Sequence, residues 1–322
     1  MGDSLLSRFR GAIVGAVLGK LWATHATSSP KAAFWVLEQA IDVCDSDSSN
    51  PFGNALLVEL VSQQLLKSGR LKLEEPSEAS QAIPWGDGSA TQLDPDVWIA
   101  LLPIILFFHE DDAQLASNLQ EVTHVWQFSS EATEAVLGVG YAISLALRET
   151  LHPNRLLSQI LDRLSLVQTN SLTLQFPKKL QTSIENGASL ESIRGLLGRQ
   201  TLSQAERSTC TQAVALAFYC FLGTPGDVRA GVMRSLQLQY QPQLVATLVG
   251  AIAGAYNGDA GIPLSWRVAL SPEGKSRSWQ LATQLWAAWS GICDPMMPFD
   301  RLEEMTAITA PGVLHPRKIE SD

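Results

Sequence analysis

Apolar residues recur at the 3.6-residue spacing of helices along most of the chain, most clearly over Ala55–Leu66, Ala132–Leu147 and Gln212–Leu222. Strict alternation of the kind that marks half-buried strands is scarce, so the pattern predicts an all-α protein. Helix-start signals agree with this. Ser29-Pro30 and Thr224-Pro225 set a capping residue before a first-turn proline, and Ser203-Gln204-Ala205-Glu206 has capping-box spacing. Asp94 and Asp96 flank Pro95, and Asp111 and Asp112 precede another apolar run; acids at such places favour the positive end of a helix, which predicts caps. Ala246, Gly250 and Gly254 fall four residues apart, so they share one helix face that a second helix can approach closely.

Two stretches test whether any part of the chain is built for a membrane. The run from Gly11 to Gly19 follows Arg8 and Arg10 and is barely long enough to imitate a secretory signal, so it is read as a buried first helix. Val97–Phe108 is continuously apolar but short for a bilayer span and carries Pro103, which predicts a core helix. Lys72–Gln81 and Gln168–Gln175 are polar connections. No internal repeat or boundary divides the chain: residues 1–305 are expected to form one compact multi-helix domain, and 306–322 a mobile tail with few apolar anchors.

Composition narrows the function by exclusion. The chain has 322 residues, 46% of them hydrophobic, enough to bury a large core. Its formal charge of -9, without a basic cluster longer than Lys178-Lys179, disfavours nucleic acid, whose non-specific binding depends on neutralising phosphates. Cys44, Cys210, Cys220 and Cys293 are scattered with no Cys-x-x-Cys pair, as expected of reduced core thiols in a cytoplasmic protein. No P-loop, dinucleotide glycine fingerprint or Ser-His-Asp signature is present.

One segment carries a more specific signal. Residues 239–267 contain the small-residue run Val245–Tyr256 and then the turn Gly261-Ile262-Pro263-Leu264-Ser265-Trp266. This resembles the ADP-ribosylglycohydrolase family, including members of the dinitrogenase reductase-activating glycohydrolase type. In that family a Gly-Gly-Asp-Thr-Asp-Thr loop precedes the small-residue helix, whereas Gln241-Pro242-Gln243 stands here. Arg10–Lys20 is similar to the family's opening helix, with Lys20 at the place of an aspartate. Trp85-Gly86-Asp87-Gly88-Ser89-Ala90 is similar to a Trp-Gly-Asn-Gly-Ser-Ala loop, and Val122-Thr123-His124 to a Leu-Thr-His element. The family's first acidic motif, Thr-Asp-Asp-Thr, falls at Pro51-Phe52-Gly53-Asn54.

The resemblance implies a single helical domain and a hydrolase ancestry in which two magnesium ions orient the ribose of ADP-ribose. It also implies that the metal ligands are lost at Lys20, Phe52, Gly53, Gln241 and Gln243, so that no metal cofactor is expected and no catalytic residue is assigned. Ligand-binding candidates are Trp85, Asp87, Gly88, Ser89, Thr123 and His124; the glycines would admit a phosphate or ribose to backbone N–H groups, or simply form a tight turn. His124 is either a site residue or a hydrogen-bonded core histidine. Lys20 either fills a cation's electrostatic place or lies on the surface after a helix end. Asp42, Asp45 and Asp47 form a solvated loop unless they rebuild a metal site with Asp87. Three readings follow: an inactive homologue, or pseudoenzyme, whose cleft takes an ADP-ribose-like molecule or a protein partner; a structural or interaction protein on the same fold; and an active hydrolase with a rearranged site.

Overall fold

The computed structural model describes residues 4–28, 55–68, 91–166, 182, 192–193, 209–270 and 277–291. These contain eleven α-helices and three short 3-10 turns, and no strand among the described residues. The helices are α1 (Leu5–Ser28), α2 (Ala55–Ser68), α3 (Pro95–Phe107), α4 (Asp112–Val125), α5 (Ser130–Leu147), α6 (Leu156–Leu166), α7 (Thr209–Gly223), α8 (Val228–Leu238), α9 (Pro242–Asn257), α10 (Leu264–Leu270) and α11 (Arg277–Ser290). The all-α expectation is met. Among the described residues no helix is long and apolar enough to cross a membrane, and Val97–Phe108 forms the core helix α3 with its last residue as C-cap. Ser29-Pro30, the capping box at 203–206, the connections at 72–81 and 168–175, Cys44, Cys293 and the 306–322 tail lie outside the described residues.

The centre of the molecule is the pair α1 and α9. Gly11 faces Gly254, Gly15 faces Gly250 and Gly19 faces Ala246, so the helices run antiparallel, in register every four residues. A methyl group placed on Gly250 would lie 2.0 Å from the carbonyl oxygen of Gly15, and one on Gly254 would lie 1.9 Å from that of Gly11. The obstacle is backbone, so no side-chain rotation relieves it. Helix α9 also packs on α3, α5, α7 and α8, while α1 packs on α3 and α11, and α2 lies on α3 and α11.

The C-terminal end of α9 is held by α1. Arg8 donates from Nη1 to the carbonyls of Ala146 (3.1 Å), Ala255 (3.2 Å) and Tyr256 (2.6 Å), tying the last turn of α9, where helix carbonyls lack partners within the helix, to the end of α5. Ser7 Oγ donates to Asp259 Oδ1 (2.5 Å) and accepts from its backbone N–H (3.1 Å). Beyond this, buried Ile262 and Trp266 close the turn after α9, with the Trp266 ring 5.0 Å from that of Trp22 of α1 and tilted 38° to it. The Ile-Pro-x-x-Trp segment is therefore an anchor for the central pair.

The cap expectations hold for Asp94 and Asp111 and fail for Asp112 and Thr224-Pro225. Asp94 accepts from the N–H of Asp96 (2.9 Å), and Asp111 from those of Ala113 (2.9 Å) and Gln114 (3.1 Å). Asp112 instead bridges Arg148 (2.5 Å) and Arg163 (2.9 Å), tying α4 to α5 and α6. Thr224-Pro225 does not start a helix. Thr224 turns its hydroxyl back to the carbonyl of Cys220 (3.3 Å), and α8 begins three residues later, where Asp227 accepts from the Ala230 N–H at 2.9 Å.

His109 sits in this core, edge-on to Phe9 at 5.5 Å and beside Trp289 at 5.0 Å, with Nδ1 donating to the carbonyl of Leu106 at 2.7 Å. Burial drives its pKa from 6.5 down to about 4; the Leu106 hydrogen bond opposes the shift and the Arg148 charge adds to it. The folded state thus favours neutral imidazole, and stability from this group is complete above pH 6.5 and is lost as pH falls towards 4. That interval corresponds to roughly 3 kcal/mol. Denaturant titrations between pH 7 and 4 should show wild type losing about this much relative to a His109→Phe variant; parallel curves would refute it. For the central pair, Gly250→Ala should cost at least about 3 kcal/mol in the same assay, because the new methyl meets backbone.

Candidate functional site

Because α1 and α9 are antiparallel, the later part of α1 lies beside the start of α9. There Gln243, in the first turn of α9, donates from Nε2 to Thr24 Oγ1 (3.3 Å), and Thr24 donates to the carbonyl of Lys20 (2.9 Å). The N-terminus of α3 meets the same place: Lys20 Nζ forms an ion pair with Asp96 Oδ1. The pair is mostly buried, with side chains 16% and 11% exposed. Lys20 is not a surface residue after a helix end, since α1 continues to Ser28 and the ammonium turns towards α3. Asp96 extends the expected cap role: besides standing in the first turn of α3, it supplies the counter-charge to Lys20.

Burial raises the Asp94 carboxyl above its ordinary value; the Asp96 N–H opposes this, the Asp96 charge reinforces it, and Lys20 opposes it. Gln241 caps α9 with left-handed backbone angles (φ 39°, ψ 54°) and no side-chain hydrogen bond to the helix, and Pro242 occupies the first helical position. Gln239, two residues earlier, is also left-handed (φ 55°). Non-glycine residues adopt this region at a cost of about 1 to 3 kcal/mol each. The loop at the family's second acidic motif is thus a tight, strained turn into a helix N-terminus.

Thr123 and His124 fall at the end of α4, which runs back beside α3. Ser129, just after α4, donates to Gln92 Oε1 (3.4 Å), and the indole of Trp98 donates to the Gln92 carbonyl (2.9 Å), so this end of α4 is tied to the residues immediately before Asp94. Thr123 is fully buried and donates to the carbonyl of Gln120 (3.1 Å), which gives it a local structural role. His124 is exposed, so the core-histidine reading fails. Trp85, Asp87, Gly88 and Ser89, the positions Phe52 and Gly53, and Asp42, Asp45 and Asp47 lie outside the described residues. The structure therefore brings together Lys20, Gln243, Asp94 and Asp96. Sequence reasoning missed the last two as site residues because their only local signal was that of a cap, and Asp96 meets Lys20 from 76 positions away.

A sequence model of the family described as ADP-ribosylglycohydrolase matches residues 26–295. The chain belongs to the ADP-ribosylglycohydrolase family. Mouse (Mus musculus) ADP-ribosylhydrolase ARH3 is 25% identical over 177 residues, 47% of this chain and 48% of that protein. The match thus spans about half the length of this curated relative. A solved structure of an ADP-ribosylglycohydrolase-related protein complex aligns with a TM-score of 0.56 at 17% identity, covering 88% of this chain and 99% of the other, a likeness of fold. The ADP-ribosylglycohydrolase family match begins after Lys20, so the place of Lys20 in the site rests on its geometry against α3 and α9 and on the resemblance of the opening helix.

Lys20→Met should lower stability by about 2 to 4 kcal/mol, because Asp96 keeps its charge in a poorly solvated place without the ammonium. Combining it with Asp96→Leu should restore at least half of that loss. A double-mutant cycle by thermal or chemical denaturation measures both, and strictly additive effects would show that the two charges are not coupled.

Proposed function

We propose that this protein is a catalytically inactive member of the ADP-ribosylglycohydrolase family, a pseudoenzyme that binds an ADP-ribose-like molecule in the inherited cleft without magnesium. The observation that carries this reading is the Lys20 to Asp96 ion pair where α1, α3 and the start of α9 meet. A hard divalent cation needs several anionic oxygens around it, and two close cations need more. Here the described donors are a carboxylate already paired with an ammonium, a second carboxylate whose charged form burial disfavours, and neutral amides. Such a set does not suit magnesium, and without the metals no hydrolytic step is assigned to these residues.

The ligand class is supported by family membership and by the mouse relative, which is described as an ADP-ribosylhydrolase. We place the protein in the cytoplasm, in keeping with Cys210 and Cys220, which are free, buried and pushed up to about 12 by burial. Calorimetry with ADP-ribose, with and without magnesium, tests the reading, together with hydrolysis assays on ADP-ribosylated arginine and serine. Binding should be unchanged by magnesium, and hydrolysis should not exceed the enzyme-free control. Turnover abolished by a chelator would establish an active hydrolase with a rearranged site. Absence of ADP-ribose binding would leave an interaction protein on the same fold.

A further inference from the structure

Two left-handed residues flank Tyr240 in the turn between α8 and α9. Gln239 ends α8 with φ 55° and ψ 28°, at a position where many helices place such a residue. Gln241 is unusual. A residue that opens a helix is ordinarily extended, and a residue before a proline is driven to the same region by the ring, yet Gln241 opens α9 before Pro242 with φ 39° and ψ 54°. Its side chain makes no capping hydrogen bond, so capping does not offset the cost of this conformation. Tyr240 stands between the two with its ring half-buried against the core. Its hydroxyl donates to Oε1 of Gln212 (2.5 Å), a residue 5% exposed in the first turn of α7, and the Thr209 side chain shares the hydrogen bonding of the phenol.

We propose that Tyr240 is the latch of a conformational switch: held on α7 it keeps Gln241 left-handed, and released it lets Gln241 relax to the extended form. A strained backbone persists only where its surroundings over-determine it, and a side chain anchored on another helix between the two left-handed residues does this. The switch acts on the junction of α1, α3 and α9. The carbonyl of Gln241 accepts from the Val245 N–H (2.9 Å), so relaxation at Gln241 turns that carbonyl away and loosens the first turn of α9. This turn carries Gln243, whose amide reaches Thr24, itself bonded to the carbonyl of Lys20. Latched, the turn holds Gln243 in place; relaxed, it frees the amide from the wall formed by α1. That the switch governs ligand binding rests on the reading of this junction as the inherited cleft.

Backbone amide exchange, followed by NMR on the full chain without ligand, tests the latch. Tyr240→Phe keeps the ring and should speed exchange at Val245 about tenfold, while Val249, one turn further along α9, is unchanged. Gln212→Met should speed Val245 about threefold, and adding it to Tyr240→Phe should bring no further change. Glycine adopts left-handed angles without steric cost, so Gln241→Gly in the Tyr240→Phe background should return Val245 to within about twofold of wild type, a rescue that loss of packing alone would not allow. Unchanged Val245 exchange in Tyr240→Phe, equal acceleration at Val249, additive effects of Tyr240→Phe and Gln212→Met, or no rescue by Gln241→Gly would overturn the proposal. Because the measurement needs no ligand, failure of the latch is distinct from failure of ADP-ribose to bind, which calorimetry decides.

Discussion

Two helices can touch backbone to backbone only where side chains are absent or reduced to a methyl, and that contact between α1 and α9 sets the frame on which α3, α5, α7, α8 and α11 pack. The glycines and Ala246 meet in antiparallel register, so the start of α9 can only lie beside the later part of α1. At that end Lys20, Thr24 and Gln243 are brought together; at the other, Arg8 and Ser7 reach the last carbonyls and the turn after α9. Helices α3, α5, α7 and α8 then pack around α9, and α3 and α11 around α1. Helix propensity opposes glycines inside helices by about 1 kcal/mol each, and close packing of the surrounding core offsets this.

The site depends on the same geometry. An ammonium and a carboxylate from distant parts of the chain form a mostly buried pair because α3 starts where α1 passes the N-terminus of α9. Breaking such a pair is more costly than its formation is favourable, since the remaining charge is left poorly solvated. A left-handed Gln241 followed by a proline holds the loop in a strained turn, and the continuous buried helix behind it provides the support.

Much of the fold was legible in the chain. The helical periods of Ala132–Leu147 and Gln212–Leu222 correspond to α5 and α7, and the small residues of α9 announced a close helix contact without naming its partner. Asp94 and Asp111 acted as caps because an extended residue with a short carboxylate satisfies the first N–H groups locally. The start of α8 was misplaced because a proline signal at Pro225 competed with a better acceptor at Asp227. The junction was only half legible. The altered loop at 241–243 and the lysine at 20 could be read against the family pattern, but the partnership of Lys20 with Asp96 is a tertiary fact with no local periodicity or spacing to reveal it.

The ion pair has one further consequence. A bound metal ion comes and goes with its concentration in solution, and a chelator can remove it. The Lys20 ammonium is tethered by the backbone beside its carboxylate, at an effective concentration that dilution cannot reduce. Its charge at the meeting of α1, α3 and α9 is therefore part of the folded state itself, arriving when the helices assemble and leaving only when they come apart.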